Sequence, residues 1–102
     1  MDFAFYRNFI TVAETGNLSA AAKRLGIVQP ALSAQMKAIE RNYGVQLFKM
    51  QRGKRHIELT EAGETFLQQA RQLCNTEDDI SLRMQAFGRR AAGTLRFSVS
   101  HV

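Results

Sequence analysis

The stretch LSAAAKRLGIVQPALSAQMKAIERNY, residues 18–43, is the part of the sequence that decides the fold. Its alanines favour a short helix that Gly26 can end, because glycine readily takes the left-handed conformation of a helix C-terminus. Ile27 and Val28 follow as a corner, and Pro30 suits the first turn of a second helix. Two helices joined by a tight corner are typical of a helix-turn-helix, in which the second helix enters the DNA major groove.

The second of these helices is predicted to run from Gln29 to about Tyr43 and to have two different faces. Apolar residues at steps of four, three and four form a core stripe, and the opposite face is small, polar and cationic. That opposite face has the character of a recognition helix, although an ordinary solvated face would look the same taken alone. The stripe consists of Leu32, Met36, Ile39 and Tyr43, and the opposite face of Pro30, Ala34, Lys37 and Arg41, flanked by Gln29 and Ser33.

An amphipathic helix is expected before this stretch, over residues 2–14, and a basic hairpin after it. Residues 45–59 change to an alternating pattern, which predicts two short strands joined by a turn at Gly53. Four of the seven residues 49–55 are cations, so the hairpin can reach phosphates or the minor groove as a wing beside the recognition helix. The hairpin residues expected to contact DNA are Arg52, Lys54 and Arg55.

A long helix is predicted from residue 61 to Phe87, with Thr60 as its N-cap and Gly88 ending it. Its apolar residues keep coiled-coil spacing over nearly four heptads. A helix of about 27 residues spans about 40 Å, so we expect its stripe to meet a second copy of the chain. The polar run 75–79 is the weak point, since its poor helix formers could kink the helix. The predicted interface residues are Phe66, Ala70, Leu73, Ile80, Met84 and Phe87.

Composition and charge narrow the functional classes. Fourteen Lys and Arg against nine Asp and Glu give a net charge of +5, and a cationic surface attracts a polyanion such as nucleic acid. No apolar run reaches the roughly 18 residues that a membrane span needs, and the acidic start of the chain does not suit a secretion signal. The single cysteine, Cys74, fits a reducing cytoplasm, where we expect the protein to act.

Catalytic chemistry is not indicated by the sequence. The acids, Cys74 and the two histidines, His56 and His101, form no nucleophile–base or metal-ligand spacing, and no glycine-rich phosphate loop is present. We therefore expect no catalytic residue, no metal and no cofactor in this chain. The alternative that stays open is a module that mediates protein contacts through its long helix, with DNA binding incidental.

Four ordered motifs give the chain a resemblance to a known family. FITVAETGNLSAAAKRL, QPALSAQMKAIE, GVQLF and LTEAG resemble the DNA-binding domain of the LysR-type transcriptional regulators, and GTLRFSVS resembles the first strand of that family's effector domain. The resemblance implies a mainly α fold: a winged helix-turn-helix of three helices and a two-stranded wing, then a linker helix that pairs antiparallel with its mate. The implied segments are a DNA-binding domain over 1–60, a linker and dimerisation helix over 61–88, and a hinge with the first effector-domain strand over 89–102.

Function and partners follow from this resemblance. It implies a bacterial, cytoplasmic, sequence-specific transcription regulator that binds an interrupted palindrome of double-stranded DNA as a homodimer, and as a tetramer at full length. A small-molecule inducer is expected to bind the effector domain, and we expect the chain to be cut from a longer protein or to end before that domain. The residues at the family's DNA-contacting positions are Gln29, Pro30 and Ser33, to which we add Lys37 for base edges and Arg41 for phosphates.

Val28, Ala34 and the wing depart from the family's pattern: the wing is a residue or two longer than usual, with Met50 at a place often held by arginine. Val28 stands where many members have a serine that caps the third helix, and a valine side chain cannot accept a bond from the free N–H groups there. Ala34 stands where many members have an arginine, so a bidentate reader of guanine is missing. We therefore expect sequence preference to depend more on Gln29, Lys37 and the wing.

Overall fold

The structure is a computed structural model, and it describes residues 2–49 and 56–94. Within these residues it contains four helices, α1 (Phe3–Thr15), α2 (Leu18–Leu25), α3 (Gln29–Tyr43) and α4 (Glu61–Thr94). The predicted mainly α fold is confirmed. Of the predicted hairpin, the described residues show one antiparallel bridge, between Phe48 and Leu59. The predicted turn at Gly53 lies outside the described residues.

The first three helices begin and end mostly at residue types that favour helix ends. Asp2 and Asn17 cap α1 and α2, each side chain accepting a backbone N–H bond, at 3.0 and 2.8 Å. The left-handed residues Gly26 and Gly44 end α2 and α3, with φ of 72° and 70°. Val28 precedes α3 and makes no capping bond through its side chain, as predicted.

The hydrophobic core lies between α1, α2 and α3, and the start of α4 closes it. Phe9 of α1 is fully buried, as are Leu32 and Ile39 of α3. Leu47, in the segment that follows α3, is 1% exposed and belongs to the same cluster. Phe66 of α4 packs its ring edge-on against Phe9, with 4.7 Å between the ring centroids. These contacts fix α3 against the body and leave its opposite face to solvent.

Tyr43 departs from the predicted core stripe of α3. Leu32, Met36 and Ile39 are buried as predicted, whereas Tyr43 is 47% exposed. Its hydroxyl lies 2.6 Å from the hydroxyl of Tyr6, so the end of α3 is hydrogen-bonded to the start of α1. A tyrosine ring is apolar but its hydroxyl needs a partner, which this position at the edge of the core provides.

Helix α4 is continuous through the polar run 75–79, although the poor helix formers of this run allowed a kink there. Arg7 of α1 forms ion pairs with the carboxylates of Glu77 and Asp78. Between one and two turns earlier along α4, another ion pair joins α1 to α4. These contacts hold the run against α1, and they fix the direction in which α4 leaves the core.

The predicted end of the long helix at Gly88 is wrong, because α4 continues to Thr94. Gly88 is not among the glycines with positive φ, so it does not act as a helix C-terminus. A glycine inside a helix costs only about 1 kcal/mol relative to alanine, and arginines and alanines, which favour helix, follow it. The predicted hinge at 89–93 is therefore helical, and the predicted strand from residue 95 onward lies outside the described residues.

Two glycines of α4 lie in opposite environments and give a matched test of the packing. A Cβ added at Gly63 would overlap the backbone carbonyl oxygen of Leu47, whereas one added at Gly88 meets no described atom within 4 Å. We expect Gly63→Ala to lower the free energy of unfolding by about 2 kcal/mol or more, through overpacking. We expect Gly88→Ala to raise it by about 1 kcal/mol, through helix propensity. Thermal unfolding at fixed protein concentration measures both, and shifts of Tm in the same direction would contradict the close approach at Gly63.

Candidate nucleic-acid interface

The exposed face of α3 carries the residues that the sequence predicts for DNA contact. Asn8 of α1 donates a hydrogen bond of 2.7 Å to the side-chain oxygen of Gln35, which together with the buried stripe fixes the rotation of α3 about its axis. We call the exposed side of α3 the reading face. Its residues are the exposed Gln29, Pro30, Ala34, Lys37 and Arg41 and the half-buried Ser33.

Gln29, the first residue of α3, has a polar partner on α2. The hydroxyl of Ser19 donates to the side-chain oxygen of Gln29 at 2.9 Å. This bond orients the carboxamide of a predicted base-contacting residue. Asn17 is the residue that caps α2, so the hydroxyl of Ser19 is not used as the helix cap.

The two arms of the predicted hairpin are joined where they leave the body. On either side of the bridge, the N–H of Lys49 donates to the carbonyl of Glu58 at 2.8 Å, and that of Thr60 to the carbonyl of Leu47 at 2.9 Å. We call residues 46–49 and 57–60 the hairpin base. The cations beyond it lie outside the described residues, so their contacts with DNA stay a prediction; they are Arg52, Lys54 and Arg55.

The returning arm of the hairpin base is attached to the corner between α1 and α2. The N–H of Ile57 donates to the carbonyl oxygen of Gly16 at 2.8 Å. The imidazole of His56 lies against Gly16 so closely that a Cβ there would come within 2.8 Å of the ring. The hairpin base therefore has a fixed position relative to the helix-turn-helix.

A crevice of about 170 Å³ separates the reading face from the hairpin base. Ser33 and Lys37 of α3 line one side of it, and Lys49 lines the other. The carboxylate-bearing Glu40 lines it as well. Sequence reasoning counted Lys49 only as part of a basic hairpin and gave Glu40 no role. The Glu40 carboxylate accepts bonds from the backbone N–H groups of Leu47 and Phe48. Residue spacing along α3 cannot predict a contact with this later segment of the chain.

The predicted dimer stripe on α4 divides into two parts. Phe66 and Ala70 pack within the chain: the ring of Phe66 contacts two aromatic rings of α1, and Ala70 is 2% exposed. The remaining members lie at the surface with exposed fractions between 38% and 57%; they are Leu73, Ile80, Met84 and Phe87. Leu73 also lines a groove of about 690 Å³ beside the end of α3.

The described residues contain no group of three or more side chains that could hold a metal ion. Cys74 is buried, and this burial raises the pKa of its thiol, which keeps the sulfur protonated and poorly nucleophilic. Within residues 2–49 and 56–94, no helix is long and apolar enough to cross a membrane.

A helix-turn-helix that presents a cationic face beside a hairpin is the arrangement of DNA-binding regulatory domains. The family model described as "Bacterial regulatory helix-turn-helix protein, lysR family" matches residues 4–64 of the sequence. The chain belongs to this family.

Individual relatives agree with this assignment. The chain is 46% identical to the HTH-type transcriptional regulator ClcR of Pseudomonas putida over 96 residues, which are 94% of this chain and 32% of ClcR. The structure matches the CbnR DNA-binding domain solved in complex with DNA, with a TM-score of 0.78, 43% identity, and coverage of 84% of this chain and 97% of that one. It matches CbnR, a LysR family transcriptional regulator, with a TM-score of 0.79, 44% identity, and coverage of 87% and 30%. The chain thus spans about a third of the length of these regulators, and no catalytic family is indicated.

The tyrosine pair that holds the end of α3 can be tested by titration. The hydrogen bond to Tyr43, followed by burial, raises the pKa of Tyr6 to about 12. Because the folded pKa exceeds the unfolded value of about 10, this contribution to stability is complete below pH ~10 and is lost as the pH rises through ~12. We expect Tyr43→Phe to lower the pKa of Tyr6 toward its ordinary value, measured by NMR of the phenol carbon. Circular dichroism confirms that the protein stays folded, and an unchanged pKa in the variant would contradict the pairing.

Proposed function

We propose that this chain is the DNA-binding and dimerisation part of a LysR-type transcription regulator, with α3 in the DNA major groove. The observation that carries the proposal is the reading face: a helix side without acids, with small side chains at its centre, in a chain of net charge +5. The DNA complex of the CbnR domain, at 43% identity, supports the same use of this domain here. Relatives that are transcription regulators support a binding function rather than an enzymatic one.

The proposed contacts divide into two kinds, those that read bases and those that bind the backbone. The first group lies near the start and middle of α3, where a helix approaches base edges most closely. The second group combines the later part of α3 with the hairpin, which we propose forms a two-stranded wing reaching phosphates or the minor groove. The base-reading group is Gln29, Pro30, Ser33 and Lys37, and the backbone group is Arg41, Arg52, Lys54 and Arg55. We propose that the ammonium group of Lys37 also neutralises a phosphate.

Dimerisation through α4 is the second part of the proposal. The exposed apolar residues of α4 continue along one side of the helix beyond the body, which supports antiparallel pairing with a second copy. A symmetric dimer would bind an interrupted palindrome, and a longer regulator would assemble further into a tetramer. The DNA-binding domain would be residues 1–60, with the dimerisation helix extended to residue 94 and a strand of an effector domain after it.

An inducer and a cellular location complete the proposal. A small-molecule inducer is proposed for the effector domain of the longer regulators and not for the residues described here. The site of action is proposed to be the bacterial cytoplasm, where the DNA is.

DNA binding is tested by the salt dependence of the affinity for a duplex recovered by selection from random DNA. We expect a steep loss of affinity between about 50 and 200 mM salt, with a slope of about −0.9 per phosphate contact in a log–log plot. Lys37→Ala should weaken binding and reduce the slope by about 0.9 per protomer, because it removes one proposed phosphate contact. Arg83→Ala is the matched control, because it removes the same charge from α4, where Arg83 pairs with Asp79.

A nearly flat salt dependence, or equal effects of the two substitutions, would contradict DNA binding through the reading face.

The alternative function as a protein-contact module has one observation in its favour, the exposed stripe of α4. The same variants separate the two, since dimerisation should survive Lys37→Ala under either function, whereas specific DNA binding should be weakened only if α3 reads DNA.

The dimer is tested by substitution on opposite sides of α4. We expect Met84→Asp to give a monomer in sedimentation experiments, because it places a charge in the proposed apolar interface. Leu82→Asp is the matched control: Leu82 is 63% exposed, and two residues along a helix correspond to a rotation of about 200°, which places it on the opposite side. A dimer that survives Met84→Asp, or one lost equally in both variants, would contradict pairing through this stripe.

A further inference from the structure

Glu40 is an acid in a place where charge alone would be unfavourable for DNA binding. It lies on α3 about one turn after Lys37, and it lines the same crevice as Lys37 and Lys49. A carboxylate near the DNA backbone repels phosphates. A residue in this position therefore needs a different physical explanation.

The structure provides one in the contacts of the carboxylate. One oxygen, Oε2, accepts backbone N–H bonds from Leu47 at 2.8 Å and from Phe48 at 3.2 Å. Both bonds are partly buried, and hydrogen bonds to a charged acceptor are roughly twice as strong as those between neutral groups. A single side chain of the recognition helix thus holds the outgoing arm of the hairpin base.

This attachment determines where the next residue of the arm lies. Lys49 follows Phe48 directly, and its side chain lines the crevice opposite Ser33 and Lys37. Its ammonium group lies 3.6 Å from the carboxylate of Glu58, and the side chain is about half exposed, at 52%. Because phosphates along DNA have a fixed spacing, cations on two separate segments bind them well only if the segments keep a fixed separation.

We propose that Glu40 is a positioning residue for DNA binding. Its carboxylate holds residues 47–49 against α3, so that Lys49 and Lys37 contact the DNA backbone as one preorganised pair. Glu40 itself contacts no DNA. The inference rests on the proposed function, and it adds two residues, Glu40 and Lys49, that the proposed contacts do not include.

Three substitutions at Glu40 distinguish a role in positioning the hairpin arm from a direct effect of its negative charge on DNA binding. Glu40→Asp keeps the charge but shortens the reach, Glu40→Gln loses the charge but keeps an acceptor oxygen, and Glu40→Ala loses both. If Glu40 positions the arm, Asp and Ala weaken DNA binding and Gln stays close to the wild type. If only its charge matters, Gln and Ala bind more tightly and Asp is unchanged. Glu64→Ala is the control for charge, since Glu64 is exposed in the first turn of α4.

The expected size follows from the loss of one phosphate contact per protomer. At about 0.1 M salt this corresponds to an affinity loss of about tenfold per protomer, with the slope of the salt dependence reduced by about 0.9. In a background of Lys49→Ala, Glu40→Asp should have little further effect, because the group that it positions is gone. Independent effects of the two substitutions would overturn the proposal, as would Glu40→Asp binding with wild-type affinity and slope.

A measurement without DNA keeps this inference distinct from the proposed function. Amide hydrogen exchange of Leu47 and Phe48 should be faster in Glu40→Asp and close to the wild-type rate in Glu40→Gln. Unchanged exchange in Glu40→Asp would overturn the attachment itself. If the wild type bound no DNA, the proposed function would fail and with it the role of Glu40 in DNA binding, while faster exchange would still identify the attachment.

Discussion

The backbone of Leu47 is the point on which the arrangement of the molecule depends. Its N–H donates to the recognition helix at Glu40, and its carbonyl oxygen accepts from Thr60. The same carbonyl lies against Gly63, where no larger residue fits. Its side chain, 1% exposed, is part of the core. The backbone of Leu47 therefore contacts α3, the hairpin base and α4. A shift of this residue would change the relative position of all three.

Several acids of the chain form contacts that contribute to this geometry. Arg71 of α4 pairs with Glu14 of α1 at 3.1 Å, and one to two turns further along Arg7 pairs with two acids of α4. Exposed pairs of this kind each contribute little to stability, about 0 to 1 kcal/mol. Their effect on direction is larger, since contacts between one and two turns apart hold α4 at one angle to α1. Glu40 likewise accepts bonds from backbone N–H groups. These carboxylates therefore contact groups within the fold, and none of them belongs to the reading face, which stays cationic.

The sequence predicted most of the fold because its helix ends depend on local chemistry. Gly26 ends α2 and Val28 leaves α3 without a side-chain cap, both as expected, since capping and left-handed backbone are properties of single residues and their neighbours. Gly88 shows the limit: the same residue type inside a helix costs only about 1 kcal/mol and need not end it.

Contacts between distant segments were not predictable from spacing. The periodicity of α4 put Phe66 and Ile80 on one stripe, but it could not show that Phe66 is covered by α1 of the same chain. Tyr43 was placed in the core by its spacing, and its hydroxyl partner, Tyr6, lies 37 positions away. Glu40 was missed for the same reason, because its partners are backbone groups that have no sequence signature. The residues of the reading face could be found from the sequence, whereas the parts that hold them in place could not.

In the proposed dimer, the far part of α4 would connect folding to DNA recognition. Beyond Asp79 the helix carries Ile80, Met84 and Phe87 at more than half exposure, and none of these belongs to the core cluster. Isolated helices of this length are marginal in water, because helix formation has a costly nucleus and needs an apolar face to be buried. In the proposed dimer a second copy buries that face, so pairing would stabilise the helix. The same pairing would set the separation of the two recognition helices. The spacing of half-sites would then be a property of α4, while the choice of bases within each half-site would belong to α3.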